Sequence, residues 1–283
     1  MEFLYVTDLH GDKDKYEKIF EIALADKIKV IVNGGDMLPK RGHRHLEQPI
    51  FIDEYLKDYF GRLQKSGIIY LAMLGNDDLL AVDQLFGAVC NEFDNVYNLD
   101  NRIVRIDGYE FIGMNAILDH PFGCKDRVVN ESEYVYQVQL GPVAGISHAT
   151  GYRNIYNWSE YLQTNLLDMR DILNKLPEPK NLDKTVYVMH MPPVGLCLGQ
   201  LYRQDLDIGS VAIYEFLKHQ QPKLSLHGHI HEAPDMPKGK WLNHILKTTC
   251  IQTGQSELGD EELIYAKIDL DNQNYQRKKC IVK

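Results

Sequence analysis

Short apolar runs alternate with amphipathic stretches along most of the chain. Glycine, aspartate, asparagine or another turn-forming residue bounds each run, which is typical of buried strands separated by helices or turns. Helical patterns stand between the early strands, whereas the last strands follow one another. We therefore expect an α/β (α+β) fold with sheet inside, helices outside and part of the sheet antiparallel. The predicted strands are residues 3–7, 30–32, 68–73, 102–106, 109–115, 185–189, 224–226, 248–252, 263–270 and 275–282.

Between these strands, apolar residues recur at helical spacing and predict helices with one buried face. Pro49 is expected in the first turn of the second helix, and Gly67 at its end. Ser159 is expected to cap the fourth helix. The apolar faces of the predicted helices run over residues 16–24, 52–63, 79–89, 162–176 and 211–217.

The net charge of the chain limits the classes of partner that we expect, and its cysteines indicate a reducing environment. Its formal net charge is −9, which disfavours long nucleic acid or an anionic membrane as a partner, because both attract an excess of Lys and Arg. The five cysteines are scattered without paired spacing and predict reduced thiols. No apolar segment is long enough to span a bilayer, and the first residues do not resemble a signal peptide. We expect a cytoplasmic protein without a membrane partner; the sequence leaves its oligomeric state open.

Histidine, aspartate and asparagine side chains follow the ends of several predicted strands. In open α/β folds such strand ends meet at one edge and form the site there. Imidazole and carboxylate suit Mn, Fe, Zn or Ni, and a carboxylate can bridge two ions ~3.5–4 Å apart. Any one of these residues is equally well explained as a cap or turn residue, but together they predict two divalent transition metal ions. The predicted ligands are Asp8, His10, Asp36, Asn76, His190, His229 and His231.

The order of five short motifs carries a resemblance to a known family. The motifs are Asp8-x-His10, Gly35-Asp36, Gly75-Asn76, His190 and Gly228-His229-x-His231. This order resembles the calcineurin-like metallophosphoesterase superfamily. The resemblance implies a four-layer sandwich of two packed mixed β-sheets flanked by helices. It also implies that a hydroxide bridging two metals attacks phosphorus in line.

The resemblance further implies a role for each ligand. Asp36 would bridge the two metals. His227, which precedes the last motif, is expected to be structural or to support a ligand rather than to bind metal. The remaining implied ligands are Asp8, His10 and His231 for one metal and Asn76, His190 and His229 for the other.

One position departs from the family pattern. The family usually has a histidine directly after the Gly-Asn pair, where it assists the transition state or the leaving group. Here that residue is Asp77, which together with Asn76 is the candidate catalytic pair. An aspartate facing a phosphate repels it unless it is protonated, hydrogen-bonded or paired with a metal or a basic group. Because a monoester carries up to two charges and a diester one, we expect a preference for diesters with good leaving groups.

A basic run follows the proposed bridging aspartate closely in sequence. Residues 40–45 include Arg41 and Arg44, and arginine suits bidentate recognition of phosphate. We predict that both bind substrate. The alternative is a solvated loop that only balances nearby acidic residues.

Regular periodicity fails over residues 118–158. A stretch of this length without periodicity is usually functional or disordered. It contains His120, Arg127 and Arg153, and we predict that it forms a substrate-rim insertion, with both arginines binding substrate, within a single domain of residues 1–283. The alternative is a surface excursion with structural aromatic residues.

The leading functional prediction is a dinuclear metal-dependent phosphodiesterase acting on a small or medium phosphoester. A phosphomonoesterase or phosphoprotein phosphatase on the same scaffold is the first alternative. A metal-binding interaction module with weak catalysis is the second, and Asp77 is the residue that keeps it open.

Overall fold

The fold is that of a computed structural model, which describes residues 1–133, 138–141, 143–201, 206–257 and 259–282. Within these residues the chain forms two six-stranded sheets and a two-stranded ribbon. Every helix in the described ranges is too short or too polar to cross a membrane.

The first sheet combines strands from both ends of the chain. Its strands are β1 (Glu2–Val6), β2 (Val30–Asn33), β3 (Ile69–Ala72), β4 (Val96–Asn98), β13 (Glu262–Asp269) and β14 (Asn274–Ile281). They lie in the order β14-β13-β1-β2-β3-β4. Strands β1 to β4 pair in parallel, and the two C-terminal strands extend the sheet antiparallel beside the first. The parallel strands are nearly all buried because helices cover one face and the second sheet covers the other.

The second sheet is built from the middle of the chain. Its strands are β5 (Ile103–Ile106), β6 (Tyr109–Met114), β9 (Thr185–Met189), β10 (Leu224–His227), β11 (Leu242–Ile245) and β12 (Thr248–Gln252). They lie in the order β11-β12-β10-β9-β6-β5. The four central strands pair in parallel, and the two edge strands are antiparallel hairpin partners. The hairpin predicted at Asp107-Gly108 joins β5 to β6, and both turn residues have positive φ as such a turn requires.

The two sheets pack face to face through one apolar layer. Phe3 and Tyr5 of the first sheet belong to the same buried cluster as Phe111 and Val188 of the second. The Phe3 and Phe111 rings meet edge to face at 5.6 Å, a contact worth about 0.5–1.5 kcal/mol beyond its buried area. Two further apolar clusters lie between each sheet and its helices. The predicted four-layer sandwich is confirmed.

The helices form the outer layers. Apart from the second, the first four pack against the first sheet, and the last three pack against the second. They are α1 (Lys13–Ala25), α2 (Arg44–Ile50), α3 (Lys57–Lys65), α4 (Asp83–Cys90), α5 (Trp158–Asn165), α6 (Met169–Asn174) and α7 (Val211–Gln220).

The second predicted helix begins earlier in the sequence than expected. Pro49 lies inside α2 rather than in a first turn, and a π-helical segment, Phe51–Leu56, connects α2 to α3. Proline lacks the N–H that the α-helical ladder needs, and the wider turn begins directly after it. The predicted end is correct, because α3 stops at Lys65 and Gly67 follows with a φ of +65°.

The helix predicted over residues 162–176 is in fact two helices. Asn157, not Ser159, precedes the first turn of α5, so Ser159 lies inside the helix. Leu166 is extended and ends α5. Asp168 then caps α6 by accepting a hydrogen bond from the Arg170 amide. The continuous leucine pattern conceals this break because both helices bury leucines in the same cluster.

Residues 118–158 contain a short antiparallel ribbon that periodicity does not reveal. Its strands are β7 (Ala144–His148) and β8 (Gly151–Ile155). The prediction for this stretch also covers residues 134–137 and 142, which lie outside the described residues.

Candidate metal centre

All seven predicted ligands lie in loops that follow parallel strands. The carboxyl ends of β1, β2 and β3 in one sheet and of β9 and β10 in the other supply them. Four of these residues have left-handed backbone conformations, a geometry that Asp and His tolerate better than branched residues and that clusters at functional sites. Their φ angles are +57° at Asp8, +47° at His10, +51° at Asp36 and +72° at His229.

The first group of side chains consists of Asp8, His10, Asp36 and His231. One ligand atom from each lies within 4.8 Å of the others. The Nε2 atoms of His10 and His231 are 2.9 Å apart, and His231 Nε2 is 3.4 Å from Asp8 Oδ1. Two imidazole nitrogens and two carboxylates that converge in this way can hold one divalent cation.

The second group consists of Asn76, His190 and His229. The Asn76 Oδ1 atom lies 3.0 Å from His190 Nε2 and 2.7 Å from His229 Nδ1. His190 and Asn76 are buried, and His229 is partly buried. An amide oxygen and two imidazole nitrogens thus point at a common region beside the first group.

Asp36 connects the two groups through a single oxygen. Its Oδ2 atom is 3.9 Å from His10 Nε2 in the first group and 3.5 Å from His190 Nε2 in the second. Its Oδ1 atom accepts a hydrogen bond of 2.8 Å from the Asp77 amide, which fixes the orientation of the carboxylate. A carboxylate placed in this way can serve two cations at once.

Buried polar atoms in the site support the fit to metal ions. Asp8 Oδ2 and His10 Nδ1 are buried and have no hydrogen-bond partner among the described residues, an arrangement that is costly without a ligand. A histidine whose Nδ1 bonds a carbonyl can offer Nε2 to a cation. His190 does so, because its Nδ1 donates to the Gly34 carbonyl at 2.9 Å and its Nε2 faces the other ligands.

The protonation states also suit ligation. Burial lowers the pKa of His10 to about 3 and that of His229 to about 4, so both are neutral. Burial opposes ionisation of Asp8, but the His231 imidazole outweighs it and lowers the pKa of Asp8 to about 2. Burial likewise opposes protonation of His190, yet the Asp36 carboxylate raises the pKa of His190 to about 9. This last imidazole would release a proton on binding metal.

Two glycines allow the ligand loops to approach one another. A Cβ at Gly228 would lie 2.2 Å from the Thr7 Oγ1 atom, and a Cβ at Gly75 would lie 2.3 Å from the Asp36 amide nitrogen. Both distances are far below any ordinary contact. Glycine is therefore required at these motif positions because of the packing between loops, not because of the conformation of the glycine itself.

His227 supports the site from behind. It is fully buried, and its Nδ1 donates towards the carbonyls of Met189 and Met191, which flank the ligand His190. Its Nε2 lies 2.9 Å from Ser225 Oγ. Both ring nitrogens of His227 thus have hydrogen-bond partners within the protein, as expected for a structural role.

Asp78 is an important residue that the sequence did not single out. Its carboxylate is fully buried and accepts hydrogen bonds from the amides of Met37, Leu38 and Gly75, at 2.9, 2.7 and 2.8 Å. Burial and the nearby Asp36 raise the pKa of Asp78, whereas the three amides oppose this. Asp78 joins the loop carrying Asp36 to the loop carrying Asn76. Its position one residue after the Gly-Asn-Asp run was the only signal in the sequence.

Asp77 has a basic partner. Its Oδ1 atom is 3.4 Å from Arg44 Nη1, and its Oδ2 atom is 3.9 Å from His10 Nδ1. Burial and then Asp36 raise the pKa of Asp77 to about 6, although Arg44 opposes the shift. Asp77 and Arg44 both line the larger of the two cavities beside the centre.

The basic run is held in place by the ribbon. His45 Nε2 donates to the Gly151 carbonyl at 2.9 Å, and its ring packs edge to face on Tyr152 at 4.7 Å. Arg44 also interacts with Tyr152. These contacts argue against the solvated-loop interpretation for Arg44, whereas Arg41 is exposed on the wall of the smaller cavity.

The other two arginines predicted to bind substrate are engaged elsewhere in the fold. The Arg127 guanidinium is buried, donates to the Gly75 carbonyl at 2.6 Å and pairs with Asp83 at 2.6 Å. It therefore supports the Asn76 loop rather than lining a cavity. Arg153 stacks on Tyr161 and donates to its hydroxyl at 2.5 Å.

Two cavities adjoin the centre. The larger has a volume of about 770 Å³ and is bordered by Asp36, Asn76, His229 and His231. The smaller has a volume of about 400 Å³ and is bordered by His10. Both volumes fall in the range of small-molecule sites.

His120, from the stretch that lacks periodicity, forms part of the wall of the larger cavity. Its ring centroid is 6.4 Å from that of His229. Its Nδ1 accepts a hydrogen bond from the Phe122 amide at 3.3 Å, and its buried Nε2 has no hydrogen-bond partner within the part of the chain that the structure describes. Burial lowers the pKa of His120 to about 3, so the ring is neutral. Because Nδ1 accepts a hydrogen bond, the ring hydrogen is on Nε2.

Comparison with known proteins agrees with this architecture. A family model described as calcineurin-like phosphoesterase matches residues 1–233, whereas no curated protein matches the chain. One solved crystal structure aligns with a TM-score of 0.62 at 16% identity, over 98% of both chains. TT1561 of Thermus thermophilus aligns with a TM-score of 0.54 at 14% identity, over 100% of this chain and 99% of its own.

A third solved structure is GAP50, the anchor in the inner membrane complex of Plasmodium. It aligns with a TM-score of 0.50 at 13% identity, over 100% of this chain and 85% of its own. At these identities the structural similarities concern the fold alone. The family match includes strands of both sheets and every motif from Asp8 to His231, and the chain belongs to the calcineurin-like phosphoesterase family.

Proposed function

We propose that this protein is a dinuclear metal-dependent phosphodiesterase. The observation that carries the proposal is the position of Asp36 Oδ2 between two groups of ligands, 3.9 Å from His10 Nε2 and 3.5 Å from His190 Nε2. Family membership supports a hydrolase of phosphoric esters. The preference for diesters and the presence of two metal ions are part of what we propose.

The donor atoms suit Mn, Fe, Zn or Ni. One cation would be held by Asp8, His10 and His231, the other by Asn76, His190 and His229, and Asp36 would be shared. When bound, the two ions supply Lewis-acid activation of water and of a phosphoryl oxygen near neutral pH. The chain's task is to fix these side chains, which the left-handed loop residues and the Asp78 carboxylate accomplish.

The chain also supplies charge for recognition of the phosphate. Arg44 and Lys40 both border the larger cavity next to the ligand groups. Arg44 is oriented by Asp77 and Tyr152, so less side-chain freedom is lost when it binds an anion. We propose that these two cations hold the non-bridging oxygens of the substrate.

Asp77 supports the choice of a diester. Arg44 contacts Asp77 at 3.4 Å but does not surround it, since about one third of the Asp77 side chain is exposed. An ionised carboxylate on the cavity wall opposes a dianionic monoester more strongly than a monoanionic diester. With its pKa raised to about 6, Asp77 is still mostly ionised at neutral pH, so its negative charge rather than proton donation is the basis of the preference.

A hydrolysis panel tests the proposal. Protein loaded with manganese is assayed against bis(4-nitrophenyl) phosphate, 4-nitrophenyl phosphate, cyclic nucleotides and nucleotide diphosphates. We expect metal-dependent turnover with the higher kcat/KM on a diester. A higher kcat/KM on the monoester would support the phosphatase alternative, and absence of turnover on all of them would support the binding-module alternative.

A further inference from the structure

The metal-ligand cluster contributes residues to the walls of both cavities. His10 borders the smaller cavity, whereas Asp36 and His231 border the larger one. These residues lie within one cluster whose ligand atoms are at most 4.8 Å apart. Lys40 borders both cavities, so the two cavities are neighbours. A phosphoester bound at the cluster would therefore have two cavities within reach of its ester groups.

The smaller cavity offers apolar and aromatic surface. Phe51 is buried at its base, Tyr55 is partly buried, and Ile50 is 54% exposed at its edge. The Tyr55 ring is fixed because its hydroxyl donates to Glu17 at 2.9 Å. Rigid rings bind a planar apolar group with little loss of side-chain entropy.

Charges in the smaller cavity are mixed. Lys13, Lys40 and Arg41 contribute three cations, and Glu47 and Glu54 contribute two carboxylates. Lys13 Nζ already lies over the Tyr55 ring, 5.0 Å from its centroid. This near-balance does not favour a second strongly anionic group, so the apolar and aromatic side chains decide what binds there.

The larger cavity also presents apolar surface at its mouth. Phe122 is 61% exposed and lines this cavity together with Ile208 and Ile230. Isolated exposed apolar residues are common on protein surfaces, but here they border two cavities that adjoin one cluster of metal ligands. A substrate with an apolar group on each side of phosphorus fits this arrangement, whereas a monoester would leave one cavity empty.

We propose that the substrate is a phosphodiester with two ring-bearing ester groups, one bound in the smaller cavity against Ile50, Phe51 and Tyr55 and the other in the larger cavity against Phe122. This proposal rests on the proposed phosphodiesterase function and adds the chemical class of both ester groups. It assigns to the smaller cavity the role of selecting the second group of the diester.

The test measures binding so that it does not depend on turnover. Manganese-loaded protein is titrated calorimetrically with diphenyl phosphate and with methyl phenyl phosphate, whose charges are equal. Because the second ring would be buried in the smaller cavity, we expect diphenyl phosphate to bind about tenfold more tightly. Equal affinity for the two esters would overturn the proposal.

Variants in α2 test whether the smaller cavity causes the preference for diphenyl phosphate. Ile50→Trp should fill the smaller cavity and reduce the ratio of the affinities for diphenyl phosphate and methyl phenyl phosphate to about one. Leu46→Trp is the matched control, because Leu46 is 60% exposed in the same helix and borders neither cavity. A preference that survives Ile50→Trp would contradict the assignment of the smaller cavity.

A variant in the larger cavity completes the test. Phe122→Ala should weaken binding of both esters, because each has at least one ring for the larger cavity; unchanged affinity for both would contradict the second half of the proposal. Failure of the proposed phosphodiesterase function has a different signature. It would appear as absent hydrolysis of bis(4-nitrophenyl) phosphate, whatever the ratio of the two binding constants.

Discussion

Arg44 faces Asp77 at the position where the family usually has a histidine, with 3.4 Å between Nη1 and Oδ1. Arg44 also approaches the Asp77 carbonyl, and Gln48 donates to that same carbonyl at 2.8 Å. The replacement of a histidine by an aspartate thus comes with a cation from the basic run. Both side chains border the larger cavity, so a guanidinium and a carboxylate lie next to each other on its wall.

Asp77→His should raise the ratio of monoester to diester turnover. The change removes a negative charge beside the phosphate and introduces the imidazole that the family usually has there, and we expect a shift of about tenfold in the ratio of kcat/KM values. The measurement compares matched aryl esters at one metal concentration. Asp77→Asn, which removes only the charge, is the control and should give a smaller shift. If the native protein already favours the monoester, or if Asp77→His leaves the ratio unmoved, Asp77 does not set the preference.

Arg44→Ala should raise KM for a diester more than it lowers kcat, since it removes binding that ground state and transition state share. We expect about a tenfold increase in KM. Arg41→Ala is the control for loss of a nearby charge, because Arg41 is exposed and borders only the smaller cavity. The effect of the double variant Arg44→Ala/Asp77→Asn on KM should be smaller than the sum of the two single effects, expressed as free energies, because the two side chains interact. Equal effects of Arg41→Ala and Arg44→Ala would remove the special role of Arg44.

Asp78→Asn should destabilise the metal-free protein. An asparagine offers one acceptor oxygen where Asp78 uses two for three backbone amides, and the loss should be about 2 kcal/mol or more. Urea denaturation in the presence of a chelator measures the free energy of unfolding without contributions from metal. Asp77→Asn is the control, because the Asp77 side chain is about one third exposed. The same small loss in both variants would contradict the joining role of Asp78.

Glu17→Gln should lower stability in a manner that depends on pH. Arg62 donates two hydrogen bonds to Glu17 and lowers its pKa from the ordinary 4.5. A lowered pKa stabilises the fold above pH 4.5, and this contribution is lost as pH falls through the lowered value. The difference in Tm between native and variant protein should therefore be largest near neutral pH and shrink on acidification. Asp58→Asn removes a more exposed partner of Arg62 and should give a smaller difference. A difference in Tm that does not vary with pH would contradict this account.

Much of the architecture could be predicted from the sequence. Short apolar runs identify most strands because strands buried on both faces are continuously apolar, as in β2 and β9. The strands that the pattern missed are short or lie at sheet edges, where fewer side chains are buried; β4 and β11 are examples. The prediction of helix boundaries failed where the apolar periodicity continues through a break in the helix, as at Leu166.

The candidate site was predictable to the extent that its residues follow strand ends. Asp8, Asp36 and His190 could be recognised because the carboxyl ends of parallel strands meet at one edge. The partner of Asp77 could not be recognised, since Arg44 reaches it across 33 positions of sequence. The role of Arg127 was equally hidden, because only the tertiary structure shows its guanidinium buried against the Gly75 loop.

The metal content of Asp36→Asn tests the central claim most directly. The native protein, purified with manganese present, should hold about two ions per chain by elemental analysis. Asp36→Asn should lose affinity at both sites, because it weakens the one carboxylate that lies between His10 and His190. Asn76→Ala, which changes only the second group, should retain about one ion. Retention of the full native metal content in Asp36→Asn would contradict a centre built around a shared aspartate.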